Sequence, residues 1–196
     1  MTSALLIVDV QNDFCPGGTL AVPEGDKIID VLNRYIQVFE SHHFPVFASR
    51  DWHPKNTTHF KEFGGLWPPH CIQQTPGAQF HPRLHLPSTA VIISKGMDKE
   101  EESYSAFLAT DKDGKQFLDL LKTAQVSALF IGGLATDYCV QSSVLDALQL
   151  KFKVYLLVDA IRGVNIKPSD SQKAIERMTK QGAILKTFSD FQSVLV

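Results

Sequence analysis

The chain has 196 residues, 44% of them hydrophobic and 20% charged, with a formal net charge of −2. That is the size and composition of one globular domain, expected over residues 1–196, with enough apolar material for a sizeable core. The balanced charge and the lack of a basic stretch argue against a nucleic-acid partner. The lack of a long apolar run argues against a membrane span.

Apolar runs alternate with helical patterns along the chain. Ala4 to Val10 reads as a strand, with no basic segment before it that would mark an export signal. Asp26 to Glu40 reads as an amphipathic helix and Pro45 to Ser49 as a second strand. Arg50 to Leu86, rich in Pro, Gly, His and aromatics, is a loop of the length that usually carries function. Ala90 to Ser94 is the third strand, Lys115 to Ala124 a helix, and Ser127 to Leu134 the fourth strand. A helix follows from Asp137 to Leu150, then a fifth strand from Lys153 to Val158. Pro168 to Gln181 is a helix, with Pro168 suited to its start and Gly182 to its end, and Ala183 to Thr187 is the last strand. Nearly all-apolar strands alternating with helices predict an α/β fold, a parallel sheet covered on both faces. Three cysteines, Cys15, Cys71 and Cys139, in a chain without an export signal point to reduced thiols in a cytoplasmic compartment.

Ligands of such sheets bind beyond the carboxyl ends of the strands. Past strand one stands Asp9, past strand two Asp51 and His53, and past strand three Lys95. The turn Ala135–Cys139 follows strand four, and Asp159 follows strand five. Cys139, at a helix start, is where unpaired N–H groups and the helix dipole favour a thiolate. Taken alone, it reads first as a small buried hydrophobe, the usual fate of a free cysteine. Convergence with Asp9 and Lys95 makes a nucleophilic set. Lys95, as an ammonium, would lower the pKa of Cys139 and of Asp9, and Asp9 would take the thiol proton and return it to a leaving amine. The backbone N–H groups of Ala135 and Cys139 are candidate oxyanion donors. Asp51, His53, His59 and His70 form a second set, whose carboxylate and imidazole groups suit one divalent transition metal, Zn²⁺, Mn²⁺ or Fe²⁺. Cys71 is a weaker candidate than His70. His42, His43, His81 and His85 lack this spacing and read as loop or surface residues. Phe14, Trp67 and Tyr104 are candidate walls for a flat ring.

These residues fall in motifs that resemble one family. D-V-Q-N-D-F-C-P-G-G (Asp9–Gly18), D-W-H-P (Asp51–Pro54), W-P-P-H-C (Trp67–Cys71), K-G (Lys95–Gly96), Y-S-A-F (Tyr104–Phe107) and G-L-A-T-D-Y-C-V (Gly133–Val140) resemble the nicotinamidase/pyrazinamidase family of isochorismatase-like cysteine hydrolases. The likeness runs from Ala4 to about Phe188, and R-G-V-N at Arg162–Asn165 adds to it. It implies a three-layer, Rossmann-like α/β/α domain with a six-stranded parallel sheet in order 3-2-1-4-5-6. The implied activity is hydrolysis of nicotinamide, and of related amides such as pyrazinamide, to the acid and ammonia in NAD salvage. The family's triad falls on Asp9, Lys95 and Cys139, with a thioester on the cysteine. Its metal ligands fall on Asp51, His53 and His70, with His59 matching a ligand that only some members use. Zinc is the metal expected first, holding the ring nitrogen of the substrate. The resemblance also implies a cis peptide before Ala135 and a pocket of Phe14, Leu20, Trp67, Tyr104, Leu134 and Tyr138. Tyr138 stands where some members have histidine.

Three other readings compete. A relative acting on a vinyl ether or a carbamoyl amide would generally lack the metal set. A metallohydrolase using metal-bound hydroxide would keep activity without Cys139. A small-molecule binding or redox-sensing domain would bind without releasing ammonia. A dinucleotide site is disfavoured, because no G-x-G-x-x-G follows strand one. One chain reveals no interface, so association into a homo-oligomer stays open.

Overall fold

Ala4 to Val8 are all fully buried, which places the first strand, β1 (Thr2–Val8), at the centre of a sheet. A strand this apolar on both faces is stable only when covered from both sides. The computed structural model describes residues 2–101 and 103–191. Residue 1, residue 102 and residues 192–196 of the expected single domain lie outside the described residues. After β1 come α1 (Ile29–Ser41), β2 (Val46–Asp51), β3 (Val91–Lys95), α2 (Phe117–Thr123), β4 (Val126–Leu134), α3 (Gln141–Gln149), β5 (Lys153–Arg162), α4 (Asp170–Lys180), β6 (Ile184–Lys186) and α5 (Phe188–Phe191). The six strands form one sheet, order β3-β2-β1-β4-β5-β6, and every neighbouring pair is parallel. This is the architecture and strand order expected.

Alternation along β1 splits the core in two. Leu5 and Ile7 pack with Leu32, Ile36 and Phe39 of α1, which fall at helical spacing, and with Phe130 and Phe191. Leu6 and Val8 belong to the other core, with Phe117, Val144 and Met178 from α2, α3 and α4. No helix among the described residues is long and apolar enough to cross a membrane.

Three local expectations are corrected. The helix expected from Asp137 starts as a five-residue π turn, Thr136–Val140, and becomes α-helical only at Gln141. Asp137 does not cap it. Its carboxylate instead accepts the N–H groups of Val164 (2.9 Å) and Asn165 (2.7 Å), which compete successfully for its oxygens. Second, the strand expected to end at Val158 runs to Arg162. Its pairing with β4 jumps from Ile131↔Leu156 to Gly133↔Ile161, so extra residues are accommodated there. Asp159 therefore lies within β5 rather than past its end. It accepts the Tyr35 hydroxyl (3.0 Å) and the Phe188 N–H (2.8 Å), which ties α5 down rather than serving the carboxyl edge. Third, the helix expected from Pro168 begins at Asp170, because Ser169 turns the chain through φ +78°.

The long stretch between β2 and β3 holds only two short 3₁₀ turns, Lys61–Phe63 and Pro76–Ala78. It is ordered by bridges between His53 and Ile72 and between Phe60 and Trp67. Gly133 lets β4 close against the end of β1. Its φ is +128°, and a Cβ there would lie 2.1 Å from the Val8 carbonyl oxygen.

Candidate active site

The carboxyl edge of the central strands carries the chemistry. Asp9 directly follows β1 and is fully buried. Its Oδ1 accepts the hydroxyl of Ser49 (2.7 Å), which faces it from β2, where Ser49 pairs with Val8. Oδ2 turns to Lys95, the last residue of β3, whose ammonium lies 2.8 Å away. The same ammonium contacts Asp51 Oδ1 and lies 3.5 Å from the Cys139 sulfur. One oxygen each of Asp9 and Asp51 and the Cys139 sulfur fall within 4.8 Å of one another. Asp9, Lys95 and Cys139, separated widely in sequence, are thus brought together by β1, β3 and the turn after β4.

Lys95 pulls both partners down, as expected, but the net shift of each is upward. Burial pushes the Cys139 thiol well up. Lys95 opposes this, but Asp9 and Asp51 reinforce it. Burial likewise raises the Asp9 carboxyl against the pull of Lys95, with repulsion from Asp51 adding to the rise. The sequence shows that a lysine is near; it does not show how deep the group lies or that the ammonium divides its field between two carboxylates. Burial also penalises the Lys95 ammonium, but Asp51 and Asp9 outweigh it and hold the group firmly protonated. Asp51 resists the burial that would raise it, because Lys95 and then His53 hold it ionised. The resting arrangement is a protonated thiol beside a buried carboxyl and a fixed ammonium.

Asp51, His53 and His70 form the second group, with one ligand atom from each within 4.8 Å of the others. Asp51 Oδ2 lies 3.6 Å from His53 Nε2 and 4.0 Å from His70 Nε2. His53 Nδ1 meets the Gly96 carbonyl (3.0 Å) and His70 Nδ1 the Pro68 carbonyl (2.7 Å). A carbonyl only accepts, so both rings donate from Nδ1 and turn Nε2 inward towards Asp51. Burial lowers the His70 imidazole below its ordinary range, against the pull of Asp51. Gly96 is required here: its φ is +64°, and a Cβ would lie 2.4 Å from His53 Cε1. A buried carboxylate and two inward imidazoles with their outer nitrogens satisfied fit a divalent transition metal. His59 lies next to the group, its ring 5.3 Å from that of His53 and its Nδ1 3.1 Å from the Thr57 hydroxyl, but it is outside the trio. Cys71 is also outside it.

Cys139 of the first group and all three residues of the second line one pocket. Phe14, Leu20, Val22, Trp67, Tyr104, Tyr138 and Val164 wall it. Asp51, His53, His59, His70, Ser103, Ala135 and Cys139 complete the lining. The Trp67 indole N–H donates to the Tyr104 hydroxyl (3.0 Å), and Tyr138 packs edge-on against Trp67 at 5.1 Å. Leu134 does not line the cavity. It is fully buried in the core, and the peptide joining it to Ala135 is cis. The Ala135 carbonyl accepts the N–H groups of Tyr138 and Val140, both at 3.1 Å, which fixes the turn.

Residues 3–190 match the isochorismatase domain model. The chain belongs to the isochorismatase family. A nicotinamidase of Escherichia coli strain K12 is 45% identical, with 96% of each chain covered. The structure of a pyrazinamidase of Pyrococcus horikoshii in complex with zinc superposes with a TM-score of 0.88 at 46% identity, covering 96% of this chain and all of that one. PnC1 of L. infantum, in complex with nicotinate, gives a TM-score of 0.84 at 34% identity, covering 96% and 94%.

In this isochorismatase-family chain several contributors escape sequence reasoning. Ser49 holds Asp9, and its only signal was a hydroxyl inside an apolar strand. Gln11 clamps Asp51: its Oε1 accepts the Asp51 N–H and its Nε2 donates to the Asp51 carbonyl, both at 2.8 Å. Val22 and Val164 wall the pocket; Val164 stood in a recognised motif without a role, and nothing marked Val22.

Proposed function

We infer that this chain is an amidohydrolase that converts nicotinamide to nicotinate and ammonia, in NAD salvage, and also deamidates pyrazinamide. The observation that carries this reading is the single ammonium of Lys95, 2.8 Å from Asp9 and 3.5 Å from the sulfur of Cys139, which itself lines an aromatic-walled pocket. The resemblance to nicotinamidases and to the zinc-bound pyrazinamidase supports it. In the proposed chemistry Asp9 takes the Cys139 proton as the sulfur adds to the amide carbonyl carbon. Lys95 stabilises the charge that develops, and the N–H groups of Ala135 and Cys139 receive the carbonyl oxygen. Asp9 returns the proton to the amide nitrogen, the C–N bond breaks, and ammonia leaves a thioester. Asp9 then takes a proton from water as it adds to the thioester carbonyl. The C–S bond breaks, the acid departs, and the sulfur recovers its proton.

Phe14, Trp67, Tyr104 and Tyr138 would sandwich the ring and exclude bulk water. Asp51, His53 and His70 would hold the metal, zinc in the first instance, with His59 beside it. When bound, that ion supplies a Lewis acid for the ring nitrogen and so orients the substrate. The three cysteines are unpaired, in keeping with a reducing, cytoplasmic compartment.

The test is ammonia release from nicotinamide by zinc-loaded wild type and Cys139→Ala, side by side. Wild type should release one ammonia per nicotinamide consumed, and the variant should lose turnover. Retention of more than about a tenth of the wild-type rate would favour a metal-hydroxide nucleophile instead.

A further inference from the structure

Asp13 lies outside the chemistry described above, yet it is a carboxylate with only 7% of its surface exposed and, among the described residues, no Lys or Arg ion pair. Its two oxygens are occupied by backbone. Oδ2 accepts the Cys71 N–H (2.7 Å) and Oδ1 the Thr19 N–H (3.2 Å). Cys71 is the peptide between the two candidate imidazole ligands. It directly follows His70, and its carbonyl accepts the His53 N–H (3.0 Å). It also adopts φ +45°, unusual for a residue with a side chain, so something must hold it there. Gly77 leaves the room that Asp13 needs: a Cβ at Gly77 would lie 2.1 Å from Asp13 Oδ2. At the other oxygen, Thr19 stands next to the pocket-wall residue Leu20, whose own N–H donates to the Asp13 carbonyl (3.0 Å).

We propose that Asp13 is a positioning residue that anchors the Cys71 peptide, and through it sets the spacing of His53 and His70 for the divalent metal. The inference rests on the functional reading only in needing that metal site. The reason for a carboxylate is stoichiometric. Two separate N–H donors need two acceptor oxygens, and an amide offers one. Asp13→Asn keeps the shape but sets an N–H₂ against one backbone N–H. Gly77→Ala attacks the same cradle from the other side and leaves the carboxylate in place. Outer partners of metal-binding histidines are worth about 10-fold to 100-fold in metal affinity.

The experiment measures zinc affinity of the full chain by competition with a chromophoric chelator, for wild type, Asp13→Asn and Gly77→Ala. Alkylation of Cys139 by iodoacetamide in the metal-free proteins serves as a second readout. Both variants should bind zinc about 10-fold to 100-fold more weakly, with Cys139 alkylation within about two-fold of wild type. Excess zinc should restore their turnover, which it would not do for a general packing defect. If Asp13→Asn fails to fold, Gly77→Ala decides. Zinc affinity within about two-fold of wild type in a folded variant would overturn the anchoring role. A wild type that binds zinc tightly but releases no ammonia would overturn the functional reading alone, and weaker binding in the variants would still establish the anchor.

Discussion

Replacing Lys95 by methionine keeps the length of the side chain and removes its charge. The Lys95 side chain is fully buried, Asp9 is fully buried, and the Asp51 side chain is 8% exposed. Truncating one partner of a buried pair leaves an uncompensated charge and costs about 3–5 kcal/mol. For a chain of this size each kcal/mol moves the melting temperature by about 2–4 °C, so metal-free Lys95→Met should melt about 6–20 °C below wild type. Zinc should narrow the gap, because a cation bound at Asp51 stabilises the folded state by mass action. The assay is a thermal melt followed by circular dichroism, with and without zinc, beside ammonia release. Lys95→Met should be inactive in both conditions. The double variant Asp9→Asn/Lys95→Met removes one of the stranded charges, so it should regain part of the lost melting temperature and none of the activity. A metal-free Lys95→Met that melts within about 2 °C of wild type would refute the reasoning, since the ammonium would then not be what holds the two carboxylates together.

Two further outcomes follow from the same geometry. Ser49→Ala removes the hydrogen bond to Asp9 Oδ1; a bond to a charged group is worth about 1.5–3 kcal/mol, so kcat/KM for nicotinamide should fall about 10-fold to 100-fold, and steady-state ammonia release within two-fold of wild type would contradict the role of Ser49. Purified protein should carry about one transition metal per chain by elemental analysis, and a chelator should raise KM more than it lowers kcat, with zinc restoring both; unchanged KM in the stripped protein would remove the metal from substrate binding.

The sheet was legible because its strands are apolar on both faces and the chemistry-bearing residues stand at their ends. Asp9 and Lys95 sit where an apolar run stops and Cys139 in the turn just after one, and a parallel sheet aligns those places along one edge. D-W-H-P and His70 were legible as a candidate ligand set by residue type, and the fold brings one ligand atom each of Asp51, His53 and His70 together. What escaped depends on partners distant in sequence. Gln11 clamps Asp51 across forty positions, and no local pattern announces it. Asp159 looked like an edge residue because the extra residues in β5 cannot be seen in an apolar run. Asp137 read as the start of a helix because the N–H groups that claim its carboxylate, those of Val164 and Asn165, come from another segment. The balance of charge at Cys139 escaped for a related reason: depth of burial is a property of the assembled molecule.

The cluster of Asp9, Asp51, Lys95 and Cys139 draws one residue from each of four neighbouring stretches, at or just past the ends of β1, β2 and β3 and in the turn after β4. On the proposed chemistry, no fragment of the polymer contains a working subset. Catalysis therefore reports on assembly of the whole parallel array, whose long-range pairings are the slow part of acquiring such a topology. On dilution from denaturant, helical signal should return before any deamidation does, and nicking the backbone between two of these stretches should silence the enzyme unless the pieces reassociate.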